Sequence, residues 1–585
     1  MVTLGIVFSH DGTLSIVRDG KHEYSCGEER FNRVKAYVGF PFQALRETIA
    51  SGRLVPEDVE VVAVPLASYP HRAAQMFAFI TTEDKAYYDL QNDKAPTGFS
   101  LPDDGWKSIR NDKDCRQYVE KKLRFLLDSV GIKAPIEFYD HHLTHAASAY
   151  YASGLNRALA ITMDGEGDGL SATVSVCEGN RIDRISATDR MHSAGYLYAA
   201  VTKRCGFKMS RHEGKITGLA AYGNPDAGYA KLARHVTVVD GRLRLVGLRG
   251  NDLIEKVLRR GFQLLGMGRS FGAFQLVDKC PELSNQDLSA AVQRLLEDRI
   301  TEIVCYWVDK TGIRDVVVAG GIFANVKFNQ RIGELDCVDS LFVFPDMGDG
   351  GTAYGAAIYS EVRRKGYNPA QTRLPDVYLG PVFSDEEIKA ELEKDPRIKF
   401  YRSEDVAADT AKRISEGRIV GWFQGRMEYG PRALGHRSIL ASPVDATINK
   451  WLNDRMHRTE FMPFAPSCLY EYADELFEIH KPSLKRPAEF MTITFRMKDE
   501  WAKRAPAVSH VDQTARPQLV RSDVEPLYHR LLSEYMRLTG LPLVINTSFN
   551  VHEEPIVCQP KEGIKALQTG MVDVLSIGNF VAIYQ

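Results

Sequence analysis

Residues 141–151, HHLTHAASAYY, and residues 159–169, LAITMDGEGDG, decide how the rest of this chain reads. His141 and His145 stand four apart, which on a helix sets both imidazoles on one face, and the Ala/Ser/Tyr run continues a helix well. The apolar strand that follows ends on Asp164, an oxygen donor that can share one cation with the imidazoles. A histidine pair on a helix is more often packing or solvated surface than a site. The acidic loop shifts the balance toward metal chemistry. That loop also imitates the start of a calcium-binding EF-hand, with Asp164, Glu166 and Asp168 at alternate positions before Gly169. The imitation fails, because the twelfth position is Ser175 rather than a bidentate acid and a strand precedes the loop instead of a helix.

A chain of 585 residues exceeds one hydrophobic core, so two or three domains are expected, and 44% hydrophobic content can bury them. The formal charge of −2 supplies no basic field for nucleic acid, which is disfavoured as a partner. Nine cysteines, odd in number and without a CxxC pair, suit a reducing compartment, and a cytoplasmic location is the simplest reading. The opening residues lack the layout of a signal peptide and no segment is long and apolar enough to span a membrane, so no membrane association is expected.

The opening is a hairpin, LGIVF and LSIV around the turn HDG, with a second turn RDG. From Pro41 onward helical periods alternate with apolar strands such as VEVVAV, VVVAGGIF and SLFVFP, the pattern of stacked α/β units, and two such layers fill residues 1–365. Residues 68–112 interrupt the pattern with Tyr69, Phe77, Tyr87, Tyr88 and Trp106. They read equally as a lid and as an excursion burying its own aromatics. Residues 366–400 form a connector in which Ser384 and Glu387 have capping-box spacing, and residues 401–585 form a further α/β unit. No internal repeat is visible.

Two strands, in VVVAGGIFAN (316–325) and LFVFPDMGDGGTAYGAA (341–357), end in glycine-rich turns before helix formers. There Gly320, Gly321 and Asn325 are candidates for nucleotide contact, and Asp349 sits where an acid can complete a metal site, although structural turns explain the glycines about as well. In the carboxy-terminal unit, MEYGPRALGHRSILA (427–441) carries Arg432 and Arg437, and HVDQTARPQLV (510–520) adds Arg516. Guanidinium groups on loops around glycine suit a phosphate. Arg458, Ser467, Asn546, Thr547, Ser548 and Asn550 follow nearby; for the asparagines and Thr547, capping a turn after a buried strand is the slightly favoured alternative.

These segments resemble the O-carbamoyltransferases that include nodulation-factor, cephamycin and aminoglycoside carbamoyltransferases. The resemblance rests on ten motifs in order: EERFNRVK, HHLTHAASAYY, MDGEGDG, HEGKITGLAAYG, AGGIFAN, GDGGTAYGAA, YGPRALGHRSIL, RTEFMPFAPS, HVDQTARPQ and NTSFN. It implies an α/β fold with an amino-terminal domain of the actin-like ATPase (ASKHA) superfold, built of two lobes, joined to a YrdC-like α/β domain. The implied chemistry has two steps: carbamoyl phosphate and ATP, with Mg(II), yield carbamoyl adenylate with loss of pyrophosphate and phosphate, and the carbamoyl group then passes to the hydroxyl of a small-molecule alcohol, a natural product being expected. On this resemblance His141, His145, Asp164 and Asp349 would hold a divalent metal, with iron(II) expected, and Arg432, Arg437 and Arg516 would grip carbamoyl phosphate and nucleotide. The proton acceptor stays open between an imidazole of the pair, Asp168, and His10 beside Asp11. Lys35 reads as a phosphate or substrate contact or as a solvated surface lysine. Such enzymes commonly dimerise, so a homodimer is an option.

The chain departs from the pattern at MHRTEFMPFAPS, where many relatives carry KxRExFRPFAP, leaving Arg458 as the basic group. Lys215, in a variant of another motif, receives no role. A tRNA threonylcarbamoyl transferase would share the metal residues, but near-zero charge and the fused second domain oppose it. A small-molecule kinase on the same superfold would not need the paired histidines.

Overall fold

The computed structural model of the chain describes residues 2–8, 10–66, 112–246, 271–456 and 464–585. Arg458 and the aromatic residues Tyr69 to Trp106 of the expected lid lie outside them. Three strands open the chain as an antiparallel meander: β1 (Val2–Val7), β2 (Thr13–Arg18) and β3 (Lys21–Gly27). Asp11, Asp19 and Gly20 take the positive φ that these tight turns require. Two further strands, β4 (Val59–Val64) and β5 (Ile136–Phe138), add in parallel, for a sheet order of β3-β2-β1-β4-β5.

The same order recurs immediately afterwards. A second meander of β6 (Arg157–Gly167), β7 (Leu170–Glu178) and β8 (Arg181–Asp189) is followed by a small hairpin of β9 (Val236–Val239) and β10 (Arg242–Leu245). Then β11 (Asp315–Ala319) and β12 (Ser340–Val343) add in parallel to give β8-β7-β6-β11-β12. Two lobes of one strand order constitute the actin-like ATPase arrangement. The duplication lives in strand direction and not in residue identity, which is why the sequence shows no repeat. The helix after β5 (His141–Ser153) and the helix after β12 (Gly350–Lys365) occupy equivalent places in the two lobes and pack together. At their crossing a Cβ on Gly355 would lie 1.9 Å from the Thr144 carbonyl oxygen, so only glycine permits the approach.

The capping box of Ser384 and Glu387 opens the helix Asp385–Leu392. The carboxy-terminal unit contains β13 (Ile398–Arg402), β14 (Val420–Phe423), β15 (Arg437–Ala441), β16 (Ala465–Leu469), the two-stranded ladder of β17 (Phe495–Arg496) and β18 (Thr514–Ala515), β19 (Gln518–Val520), β20 (Leu543–Ser548), β21 (Val574–Ile577) and β22 (Phe580–Tyr584). Eight of these form one mixed sheet, β13-β22-β21-β14-β15-β20-β16-β19. Its first strand straddles the boundary expected at residue 401. No helix among the described residues is long and apolar enough to cross a membrane.

The two domains meet at or beside several of these motifs. Arg426 Nη2 donates to the Glu23 carbonyl at 2.7 Å, Lys327 pairs with Asp512 at 2.9 Å, and His212 Nε2 lies 2.7 Å from Glu553 Oε1. The hydrogen bond from His212, ahead of the opposing burial, holds the Glu553 carboxyl down at about 2. Its folded pKa being depressed, this contact contributes stability above the ordinary glutamate range and loses it as pH falls toward 2. Melting curves of wild type and Glu553→Gln should therefore differ at pH 6 and converge as the pH approaches 2; a difference that stays constant with pH counts against the contact.

Candidate functional site

The His141–Ser153 helix starts where the Asp140 carboxylate accepts from the Leu143 amide and Asp168 Oδ2 accepts from the His141 amide at 2.7 Å. Both carboxylates satisfy N–H groups that a helix start leaves unpaired. One turn of helix then brings the Nε2 atoms of His141 and His145 to 3.1 Å. Asp164, near the end of β6, places Oδ2 3.2 Å from His145 Nε2 and 3.5 Å from His141 Nε2. Asp349, directly before the Gly350–Lys365 helix, brings Oδ1 to 3.8 Å and 3.9 Å from the same two nitrogens. All four ligand atoms lie within 4.8 Å of one another.

The third histidine of the run behaves differently. His142 Nδ1 is 2.9 Å from Thr162 Oγ1 and Nε2 is 3.2 Å from the Leu170 carbonyl, so both nitrogens are satisfied inside the core. Burial, and then the neighbouring His141 and His145, drive it down to about 3. Burial would also depress His141, but the surrounding Asp164, Asp349 and Asp168 outweigh it and raise it to about 9. His145, wholly buried, goes down because burial exceeds the pull of Asp164. Burial would raise Asp164, yet hydrogen bonds from both imidazoles hold it well below the carboxylate range; burial and then the charge of Asp164 push Asp349 well up.

These donors fit a divalent cation. Two facing Nε2 atoms beside a shared carboxylate cannot all be satisfied by one proton, whereas a cation engages all of them. Two imidazoles and two carboxylates suit iron, manganese or zinc better than magnesium or calcium. The ring of His141 rests on Gly167, where a Cβ would come within 1.9 Å of its Cδ2. Gly167→Ala must therefore displace that imidazole, and if the cluster holds a cation we expect metal affinity to fall at least about tenfold, measured as bound metal after dialysis against a chelator, with circular dichroism unchanged. Sequence reading missed this glycine, although it lies inside the acidic loop that drew attention to Asp164.

The other expected site residues divide into distinct environments. Gly320, at φ 106°, packs where a Cβ would meet the Met163 carbonyl at 2.1 Å, and a Cβ on Gly321 would lie 3.1 Å from Asp164 Oδ1, so this turn backs the cluster of His141, His145, Asp164 and Asp349. Asn325 departs from the expected nucleotide contact: its Oδ1 caps the helix Val326–Gly333 and its Nδ2 reaches Gln293, Thr217 and Tyr198. Arg437 departs as well. It is fully buried, donates to the carbonyls of Gln424 (2.5 Å), His436 (3.1 Å), Gly425 (3.3 Å) and Pro381 (3.4 Å), and stacks its Cζ 3.6 Å from the Phe423 ring centre. A guanidinium so committed ties the motif loop together and is not presented to a phosphate. Asn546 is likewise buried, donating to Ser467, Gln518 and the Ala433 carbonyl. Arg432 is half-buried, with one contact at 3.4 Å to the Ala324 carbonyl across the domain seam. Burial lowers it to about 10, so it remains a cation at neutral pH. Arg516 is half-buried on the turn between β18 and β19.

Lys35 and Ser548 line a cavity of ≈ 980 Å³, mouth included, that opens between the domains. Asp11, Asp346 and Gly350 wall it on the side of the His141, His145, Asp164 and Asp349 cluster, and the Met427–Pro431 segment walls it on the other. His10 is exposed in the turn beside Asp11. A second group, His212, His552 and Glu553, also gathers its ligand atoms within 4.8 Å. Here His212 Nδ1 accepts from the Lys208 amide at 3.3 Å, which leaves the ring proton on Nε2, donated to Glu553. With no Nε2 lone pair to offer, this group is a latch between domains.

Profiles of known families match nearly the whole chain: the carbamoyltransferase N-terminus over residues 2–358 and the carbamoyltransferase C-terminus over residues 411–583. The chain is 30% identical to nodulation protein NolNO of Sinorhizobium fredii (strain NBRC 101917 / NGR234), over 98% of this chain and 79% of that one. It is 34% identical to nodulation protein NolO of Bradyrhizobium diazoefficiens, over 76% of this chain and 78% of the relative. Full-length HypF in its phosphate- and nucleotide-bound form overlaps 62% of this chain and 47% of its own at a TM-score of 0.32 and 14% identity, too little to add to the strand order. With both profiles matched in order and each covering its own structural unit, the chain belongs to the carbamoyltransferase family and is a carbamoyltransferase enzyme.

Proposed function

We propose that this enzyme makes carbamoyl adenylate from carbamoyl phosphate and ATP in its carboxy-terminal domain and transfers the carbamoyl group, in its amino-terminal domain, to a hydroxyl of a small natural-product alcohol. The observation that carries the reading is the shared cavity: one wall adjoins the His141, His145, Asp164 and Asp349 cluster and the other is the Met427–Pro431 motif loop. A divalent cation held by those four residues, iron(II) in our proposal, would supply Lewis acidity toward the carbamoyl carbonyl oxygen. Arg432 provides the positive charge for phosphate at the seam. Asp168 is committed to the helix start, so we assign the proton acceptor for the alcohol to the His10–Asp11 turn, where Asp11 lines the cavity.

The test is pyrophosphate release from ATP that depends on carbamoyl phosphate. Its appearance supports the adenylate route. Formation of ADP instead selects phosphoryl transfer of the kinase type, and no turnover of ATP removes both readings. Screening hydroxyl compounds for a carbamoyl mass increment then identifies the acceptor.

A further inference from the structure

The EERFNRVK motif contains a short helix, Glu29–Asn32; Arg30 within it and Arg33 at its C-cap both cross the domain seam. Arg30 Nη2 donates to the Gly430 carbonyl at 3.1 Å. Arg33 donates through Nη1 to the Ile556 carbonyl at 2.9 Å and through Nη2 to the Pro555 carbonyl at 2.7 Å, and pairs with Glu562 at 3.3 Å. Glu562 in turn accepts from the amides of Cys558 and Gln559, which anchors the same loop to the start of its helix. Arg33 holds a left-handed backbone, φ 62°, uncommon for a residue with a side chain, and in that conformation its guanidinium reaches the loop. Gly430, Pro555 and Ile556 are all wall residues of the interdomain cavity. Both carboxy-terminal walls are thus tied to one turn of the amino-terminal domain.

We infer that Arg30 and Arg33 are positioning residues that clasp the two walls of this cavity together and so limit the access of water to an activated carbamoyl group between the two half-reactions. The inference rests on the adenylate reading proposed above. When the clasp opens, water attacks the carbamoyl carbon of the adenylate, the bond from that carbon to the phosphate oxygen breaks, AMP leaves, and the carbamic acid decomposes to ammonia and carbon dioxide. Charge-assisted bidentate contacts of this kind are the strong ones, and losing them raises the open population by about tenfold.

The experiment uses the full chain with ATP, carbamoyl phosphate and no alcohol. Wild type should release close to one pyrophosphate per chain in a burst and then nearly stop, since the adenylate has no acceptor and limited access to water. Arg33→Gln should show the same burst followed by pyrophosphate, AMP and ammonia production about tenfold faster than wild type. Arg33→Lys and Arg30→Gln, which remove fewer contacts, should leak less and serve if Arg33→Gln does not fold. Post-burst rates equal to wild type in the folded variants overturn the clasp. Loss of the burst in a folded variant also overturns it, by placing these arginines in adenylate formation. Absence of any carbamoyl-phosphate-dependent pyrophosphate from wild type sinks the adenylate reading instead, so the two failures are distinct.

Discussion

His145→Ala should lose bound metal and alcohol carbamoylation by at least about a hundredfold while carbamoyl-phosphate-dependent pyrophosphate release persists. The imidazole is fully buried and its Nε2 is the donor closest to both His141 and Asp164, so no water or neighbouring side chain replaces it at the same point. Alanine is the best helix former and keeps the His141–Ser153 helix intact. Metal content by elemental analysis, the transfer assay and the pyrophosphate assay give three independent readouts. Equal loss of transfer and pyrophosphate release in a folded variant would falsify the assignment of the two steps to different domains.

Arg432→Ala and Arg437→Ala should separate sharply although both lie in one motif. Among the described residues Arg432 has a single long contact at the seam, so its removal is expected to lower pyrophosphate release by about a hundredfold or more, with metal content and melting temperature unchanged. Arg437→Ala strips the donor from four carbonyls and empties a packed site against Phe423. It should destabilise the carboxy-terminal domain by about 3 kcal/mol, seen as an earlier unfolding transition. A thermally stable but inactive Arg437→Ala would restore that residue to phosphate binding.

The contrast shows what a linear reading can and cannot extract here. Four-residue spacing and a strand ending in an acid are local facts, and they sufficed to single out His141, His145 and Asp164; Asp349 followed from a turn before a helix. Whether a polar side chain faces a ligand or a carbonyl is not local. Arg437 and Asn546 sit on strands of the eight-stranded sheet, and Asn325 opens a helix, so most of their partners come from residues distant in sequence. The same holds for Arg30, Arg33 and His212, whose partners belong to the other domain and have no spacing signature. Strand order, likewise, is a property of pairing: β1 and β6 share only an apolar run and a turn ending in Asp-Gly, Asp11-Gly12 and Asp168-Gly169, too short a likeness to mark them as counterparts, yet each begins a meander of the same direction and order.

The near-contact of Gly355 with Thr144 has a mechanical consequence. The Gly350–Lys365 helix is held as closely on its other side, where a Cβ on Gly5 of β1 would lie 1.9 Å from the Ala353 carbonyl oxygen, so β1, this helix and the His141–Ser153 helix stack backbone to backbone. Thr144 stands between His141 and His145 on the same turn, and Asp349 directly precedes the helix that carries Gly355. The four-residue cluster is thereby seated beside a glycine-spaced backbone stack, where neither helix can advance on the other without a clash.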